Sequence, residues 1–481
     1  MRLQVVFRYI GMVLLFESAF MLLSAGISYW NGVDGGFTPL LLSFLLTALL
    51  GSFPLIFVNK GGTMTSKESY AIVIGAWLAS CFVGMFPYLL WGGEFSVVNA
   101  WFESVSGFTT TGASILNDVE GLPKGLLFWR SVTNWIGGVG VVMFALVILP
   151  LMGRSRMTVS SLEISSMARD NYRYRSSKIM QILLSVYLGM TLLCIVALKV
   201  AGMGWFDAVN HGFSAMSTGG FSTKNASIGA FNSVWIELIL IFFMFASSLH
   251  YGIIYATIIG RKNNIFRTEA AKFYIGTTLV ICLATSLALW AAGNYGTLWE
   301  SLRYGCFQVV SIVTTSGFAT ADTTVWPALA VCLLMWVSVQ GGMAGSTSGG
   351  LKSDRVLIAG KLIKARIKQQ QHPNAIIRIK NNGVVQENDL VNFAILYIVV
   401  YGCTILGGTL LNAACGVDLM TAFSASIAST GNIGPGFGEV GSLDNFSAVP
   451  ATVRIVSTLQ MLLGRLEIFG LIQFFLMKWW K

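Results

Sequence analysis

The sequence has little charge: Asp, Glu, Lys and Arg make up 11% of its 481 residues, against about 25% in soluble domains. Histidine is scarce, with three scattered copies, and the seven cysteines show no metal-ligand or redox spacing. There is no HExxH motif, no GxSxG motif in a catalytic context and no convincing paired-carboxylate site. These absences argue against a soluble domain, a metal centre and an enzyme. No bound organic cofactor is expected.

Long apolar runs fill most of the chain. Hydrophobic residues are 55% of it, and the mean hydropathy is +0.71. The first run follows Arg2 and Arg8 and could be mistaken for a signal peptide, but Glu17 interrupts it and no convincing cleavage site follows, so a retained span is expected. Ten runs are long enough to cross a bilayer, and they lie at about 8–30, 39–59, 70–92, 126–150, 179–202, 233–259, 272–292, 325–350, 390–413 and 451–477.

Positive charge concentrates in alternate loops. Of 31 Lys and Arg, six lie in 154–178, four in 261–272 and eight in 352–380, whereas the intervening loops hold mainly acids. Basic loops stay cytoplasmic, so ten spans place both termini inside. No nucleic-acid-binding signature accompanies these runs. They are therefore interpreted as topology signals that can also contact membrane lipid head groups, and no nucleic acid partner is expected.

Four polar, glycine-centred runs interrupt the apolar sequence: FTTTGAS, MSTGGFST, VTTSGFAT and TGNIGPGF. A segment too short to span a bilayer precedes each run, at 96–106, 205–215, 298–312 and 418–428. The chain is therefore expected to hold two extra N-terminal helices in 1–60 and four repeated units at 61–153, 154–265, 266–385 and 386–481. The central glycines align as Gly112, Gly220, Gly317 and Gly434, with Gly431 as the alternative centre of the fourth run.

Four such loops meeting around one axis suit a cation pathway. Glycine permits backbone angles that aim carbonyl oxygens inward, where they replace the hydration shell of an ion. The short helices would direct their partly negative C-terminal ends at the axis. Glycine-rich loops also occur at broken helices of secondary transporters. A transporter of another small solute, coupled to Na⁺ or H⁺, is therefore the alternative, although the spans carry few of the acids that proton coupling uses.

The chain resembles the TrkH/KtrB superfamily of potassium transporters, specifically its TrkH/TrkG branch. The resemblance covers essentially the whole sequence and rests on TTTGAS, STGGFST, TTSGFATAD, GGMAGSTSGGLKSDR, NIGPG and GRLEIFG. It implies an all-α polytopic protein of the bacterial inner membrane, with four pore units around one central pore plus two N-terminal helices, transporting K⁺. It also implies a homodimer and a cytoplasmic nucleotide-binding regulator of TrkA (RCK) type, docking on 154–178 and 352–388.

The resemblance also assigns a selectivity filter. Its residues would be Thr110, Thr111, Gly112, Thr218, Gly219, Gly220, Thr315, Ser316, Gly317, Asn432, Ile433 and Gly434. K⁺ would lie against Thr111, Thr218, Thr315 and Asn432. No loop reads TVGYG, the potassium-channel signature, and the fourth departs most from the others. The filter is therefore expected to be less symmetric and less stringent than in those channels.

A possible gate lies below this filter. The stretch 341–350 has five glycines in ten residues, which disfavours a continuous helix. It is either a packing kink or, as the resemblance implies, a mobile gating loop. The gating residues would then be Gly341, Gly342, Gly345, Ser346, Gly349, Gly350, Lys352 and Arg465.

Charged residues inside or beside the spans need separate explanations, because a buried charge is costly. Arg465 would pair with Glu467, reach the inner membrane surface or, as the resemblance implies, project into the pore below the filter. Arg130, Glu237 and Arg303 are expected to be structural caps or pairs.

Overall fold

Helices form almost all of the regular structure in the computed structural model, which describes residues 2–58, 65–147, 176–260, 264–374 and 377–476. Most of the basic run 154–178 and the predicted unit boundaries near residues 60 and 153 lie outside this part of the chain. One hairpin, β1 (Lys380–Asn381) with β2 (Val384–Val385), is antiparallel. Its turn residues, Asn382 and Gly383, both have positive φ, as a tight two-residue hairpin turn requires.

The N-terminal helices α1 (Leu3–Trp30) and α2 (Phe37–Phe57) form a closely packed pair. A Cβ added to Gly11 would lie 2.6 Å from the Gly51 carbonyl oxygen. Small residues at such crossings allow helix backbones to approach in a membrane.

Four sets of helices in a similar order follow along the chain. The first comprises α3 (Ser66–Gly84), its continuation α4 (Phe86–Trp91), α5 (Val97–Phe108) and α6 (Lys124–Val147). The second comprises α7 (Ser176–Val200), α8 (Trp205–Met216), α9 (Val234–Ser247) and α10 (Tyr251–Ile258). The third comprises α11 (Glu269–Ala291), α12 (Leu298–Val313), α13 (Ala328–Val339) and α14 (Ser353–Gln371). The fourth comprises α15 (Asn388–Ala414), α16 (Leu419–Thr430), α17 (Ala451–Arg465) and α18 (Ile468–Phe475).

The short helices α5, α8, α12 and α16 lie where the sequence predicts them. Three begin at side-chain caps: Ser96 accepts from Asn99 N–H, Thr297 and Glu300 form a capping box, and Asp418 accepts from Met420 N–H. Such caps satisfy backbone donors that a helix start leaves unpaired. The local sequence thus fixes where three of these helices start.

The prediction of ten spanning helices is only partly met. Among the described residues, six helices are long and apolar enough to cross a membrane, or up to eight if each bent pair counts as one span. The run 233–259 bends by 105° between α9 and α10, and the run 451–477 bends by 102° between α17 and α18. The run 325–350 is helical only as far as Val339. Glu467 explains the second bend, because its φ of 53° is incompatible with a continuing right-handed helix.

Candidate functional site

The same backbone hydrogen bonds end all four short helices. After α5, the Thr110 N–H donates to the Gly107 carbonyl and the Thr111 N–H donates to the Ser106 carbonyl, both at 2.9 Å. The equivalent donors in the other units are Thr218 and Gly219, Thr315 and Ser316, and Asn432 and Ile433. This pattern is the Schellman cap, in which the residue after the helix is left-handed.

The left-handed position of each cap is not glycine. The φ angles are 51° at Thr110, 55° at Thr218, 58° at Thr315 and 51° at Asn432. Threonine is β-branched and rarely adopts this conformation, so Thr110, Thr218 and Thr315 each cost about 1–3 kcal/mol, whereas asparagine adopts it more readily. The left-handed conformation at one position in all four units, strained in three of them, points to a functional constraint on the backbone.

A second left-handed residue follows two positions later in every loop. These residues are the predicted glycines, with φ of 79° at Gly112, 73° at Gly220, 74° at Gly317 and 101° at Gly434. The residue between the two left-handed positions does not have a positive φ in any of the loops, and such alternation can turn successive carbonyl groups to the same side. Each loop can therefore present consecutive carbonyl oxygens to one axis.

The loops contact one another in a closed ring. A Cβ on each glycine would collide with a backbone carbonyl of the next loop in the chain, and the fourth loop returns to the first. The contacts run from Gly112 to the Gly219 oxygen, from Gly220 to the Ser316 oxygen, from Gly317 to the Ile433 oxygen and from Gly434 to the Thr111 oxygen. The ring therefore brings together the predicted filter residues of all four units and leaves no room for a side chain at the glycines.

This geometry also fixes the register between loops. Gly431, the alternative centre of the fourth loop, ends α16 with a φ of −80°, whereas Gly434 occupies the ring position. The predicted K⁺ contacts Thr218, Thr315 and Asn432 are structural equivalents, but Thr111 is not. The equivalent residue of the first loop is Thr110, one position earlier. The predicted set of K⁺ contacts therefore mixed two alignments of the loops.

The fourth loop makes the ring chemically asymmetric. The Asn432 side-chain amide donates to Thr111 Oγ1 and to the Met461 carbonyl, each at 3.0 Å. Asn432 Oδ1 and Thr110 Oγ1 are buried without a hydrogen-bond partner in the described part of the chain. These two oxygens are free to accept a donor or a cation.

Buried ion pairs support the ring from outside. Arg130 and Glu103, 2% and 0% exposed, lie 2.8 Å apart. Arg130 also donates to the Ser222 carbonyl at 3.2 Å and stacks 4.1 Å from the Phe221 ring centroid, so it joins the first and second loops. The Arg303 guanidinium binds Glu237 through two contacts of 2.7 Å. The prediction of structural pairs is confirmed, although the sequence did not single out Glu103.

A cavity of about 160 Å³ opens on one side of the ring. All four loop glycines line it, together with polar side chains that include Asn117, Lys224, Asn225 and Asp444. A polar cavity of this size can hold several waters. A hydrated ion could therefore approach the ring from this side.

Residues 341–350 form a non-helical loop on the opposite side of the ring. The Gly341 N–H donates to the Leu351 carbonyl at 2.8 Å, and the Ser353 hydroxyl donates to the Gly341 carbonyl at 2.6 Å. These bonds close the base of the loop. Lys352 is buried, since it is 8% exposed, and its ammonium donates to the Ser348 carbonyl.

The loop contacts the ends of three short helices. Its Gly349 N–H donates to Thr315 Oγ1 at 2.7 Å, and a Cβ on Gly349 would overlap the Gly431 carbonyl oxygen. The Thr347 hydroxyl lies 3.1 Å from the Met216 carbonyl oxygen. The segment therefore lies directly beneath the ring and is not a kink within a continuous helix.

Arg465 lies beside this loop. Its guanidinium is buried and donates to the Thr347 carbonyl at 2.7 Å and to the Gly137 carbonyl at 3.4 Å. The alternative pairing with Glu467 is wrong, because Glu467 binds Arg355 at 2.9 Å. Within the described ranges, Arg465 forms no ion pair. A cavity of about 40 Å³ adjoins it, lined also by Gly345, Ser346, Ser348, Gly349 and Lys352.

Comparisons with known proteins agree on one family. Residues 40–288 and 297–479 match the family model TrkH, described as a cation transport protein. The Trk system potassium uptake protein TrkH of Salmonella typhimurium is 33% identical over 488 aligned residues, covering 100% of both chains. The Trk system potassium uptake protein TrkG of Escherichia coli is 32% identical, covering 92% of this chain and 91% of that protein.

A solved structure also matches. The crystal structure of the potassium transporter TrkH from Vibrio parahaemolyticus superposes with a TM-score of 0.89 and 31% sequence identity, covering 98% of each chain. The family model matches most of the sequence, and the Salmonella relative matches it from end to end. This chain therefore belongs to the TrkH family of cation transport proteins, which are integral membrane transporters and not enzymes.

Proposed function

We propose that this protein takes up K⁺ through a channel-like pore whose selectivity filter is the ring of four loops. The observation that carries the proposal is the ring itself, with its alternating left-handed residues and its contacts from each glycine to the next loop. Backbone carbonyls held in this way can replace the water around a dehydrating cation. The choice of K⁺ is supported by relatives named as potassium uptake proteins.

The ion would enter from the cavity lined by the four glycines and pass between the loops. The carbonyls of the filter residues would bind it, and Thr110, Thr218, Thr315 and Asn432 would form one layer of equivalent positions. The four pore helices point their C-terminal ends toward this layer, and their dipoles favour a cation there. K⁺ would then leave inward, down its electrochemical gradient.

The loop 341–350 would act as the gate. Its donors, including the Thr347 hydroxyl and the Gly349 N–H, occupy oxygens at the lower edge of the ring. Arg465 would add a fixed positive charge to the same obstruction. Uptake would require the loop to move aside. The residues that would move with it are Gly341, Gly342, Gly345, Ser346, Gly349, Gly350 and Lys352.

The membrane arrangement is part of the proposal. Counting bent and interrupted helices as spans gives ten crossings, with both termini on the cytoplasmic side of a bacterial inner membrane and the four units divided as the sequence indicates. A homodimer with a TrkA-type regulator would complete the system. In α14, Lys364, Arg366 and Lys368 are exposed and offer positive charge for such docking.

Ion flux into proteoliposomes tests the proposal. Purified protein should carry K⁺ down a K⁺ gradient faster than it carries Na⁺ down an equal Na⁺ gradient, and the regulator should change the rate. Equal K⁺ and Na⁺ rates would overturn the filter assignment. A rate that collapses whenever the Na⁺ or H⁺ gradient is removed would instead favour a coupled secondary transporter.

A further inference from the structure

Thr315 belongs to two parts of the molecule at once. Its backbone is the left-handed residue of the third filter loop, with a φ of 58°. Its hydroxyl oxygen accepts the Gly349 N–H of the loop 341–350 at 2.7 Å. Gly350 also approaches it, because a Cβ there would lie 3.7 Å from Thr315 Cγ2. The side chain therefore joins the lower edge of the ring to the loop beneath it.

The equivalent side chains in the other units differ from Thr315. The Thr218 hydroxyl donates to the adjacent Ser217 carbonyl at 2.6 Å. In the described part of the chain, Thr110 Oγ1 and Asn432 Oδ1 have no hydrogen-bond partner. Among these four equivalent residues, Thr315 is therefore the one whose side-chain oxygen is bonded to the loop 341–350 in the described part of the chain.

We propose that Thr315 couples the gate to the filter, an inference that rests on the proposed function. A hydroxyl oxygen has two lone pairs. The Gly349 N–H occupies one of them and places positive partial charge next to it. A cation can coordinate this oxygen well only after the loop has left. While the gate is closed, the Thr315 oxygen is therefore a poor ligand for an ion at the lowest position of the filter. It becomes available to that ion when the loop moves away.

This coupling gives Thr315 two measurable effects. Loss of its hydroxyl removes a bond that holds the loop in place, which makes the loop easier to displace. The same loss removes an oxygen ligand from the open filter, which weakens the preference for K⁺. Thr315 is therefore a positioning residue for the gate and a specificity residue for the ion.

The test compares Thr315→Val, Thr315→Ser and Thr278→Val in proteoliposomes without the regulator. Thr315→Val should raise basal cation flux on the order of fivefold, the population shift expected for one net hydrogen bond, and should lower the K⁺ to Na⁺ flux ratio. Thr315→Ser keeps the hydroxyl and should therefore restore both values most of the way from those of Thr315→Val toward those of the wild type. Thr278, buried in α11 and bonded to the Tyr274 carbonyl, controls for the general effect of removing a threonine hydroxyl from a span.

A double variant separates coupling from simple loosening of the fold. In protein lacking Ser346–Gly349, Thr315→Val should add no further basal flux, because the bond to Gly349 is already gone. Additive increases would overturn the proposal, as would a Thr315→Val flux and ion ratio equal to those of the wild type. If Thr315→Val does not fold, Thr315→Ala takes its place under the same criteria. Absence of K⁺ flux in the wild type would instead refute the proposed function.

Discussion

Replacing Arg465 by alanine should raise the cation flux of the purified protein. The guanidinium is buried beside the loop 341–350 and, in the described part of the chain, donates to carbonyl oxygens and forms no ion pair. At an effective dielectric constant of about 20, it disfavours a cation about 8 Å away by about 2 kcal/mol. That energy corresponds to about a thirtyfold change in the occupancy of that position. Arg465→Ala should increase flux by up to this factor.

The loss of stability expected for Arg465→Ala is smaller than that expected for Arg130→Ala. Loss of Arg465 removes the donor to the Thr347 carbonyl, at a cost of about 1–3 kcal/mol, whereas Gly137 lies within α6, where a carbonyl can accept a helical hydrogen bond. The loss also removes the cost of burying a charge. Arg130 provides the contrasting case, because its loss leaves Glu103 buried and uncompensated. Breaking a buried pair in this way costs about 3–5 kcal/mol.

Proteoliposome flux and thermal unfolding of the same preparations distinguish the two roles. Arg465→Lys should keep flux near the wild-type value, because it retains the positive charge. Arg465→Ala should raise flux with a modest loss of thermal stability. A large loss of stability without any gain in flux would show that Arg465 is structural and would remove it from the pore.

Three further changes test the ring and its supports. Gly317→Ala should lower the K⁺ to Na⁺ flux ratio of folded protein, because its Cβ would displace the Ile433 carbonyl; an unchanged ratio would refute the filter assignment. Deleting Ser346–Gly349 should raise both K⁺ and Na⁺ flux without the regulator, and flux at or below wild type would leave the loop without a gating role. Arg130→Ala should lower the free energy of unfolding by about 3–5 kcal/mol in denaturant titration. The double variant Arg130→Ala with Glu103→Gln should recover much of that loss. If it does not, the unpaired Glu103 charge is not the source of the lost stability.

Local features of the sequence predicted the four short helices well. The short helices begin at residues such as Ser96 and Asp418, whose side chains cap them, and they end before glycines that adopt left-handed angles. Both signals depend on neighbours within a few residues. For this reason the positions of α5, α8, α12 and α16 and the alignment on Gly434 followed from the pattern alone.

Features that depend on distant contacts were not predictable in this way. Hydropathy summed over a window does not register a bend, so α17 and α18 looked like one span. The partner of Glu467 is Arg355, 112 residues away, whereas nearness along the chain had offered Arg465 as an alternative. The left-handed threonines also escaped notice, because the sequences TTG and STG carry no sign of the conformation that the ring imposes.

One chain supplies all four loops of the ring, and this has a consequence for how such a pore can vary. A pore of four identical subunits receives every substitution four times, whereas here each contact is encoded separately. Asn432, which replaces threonine in the fourth loop and reaches the first, shows that one quarter can differ while the ring still closes. Substitution of the loop glycine in one, two or three loops would therefore give a series of proteins with an increasing number of altered loops. In the proposed pore, the path of the ion could accordingly lie off-centre, with four unequal walls that can each be adjusted alone.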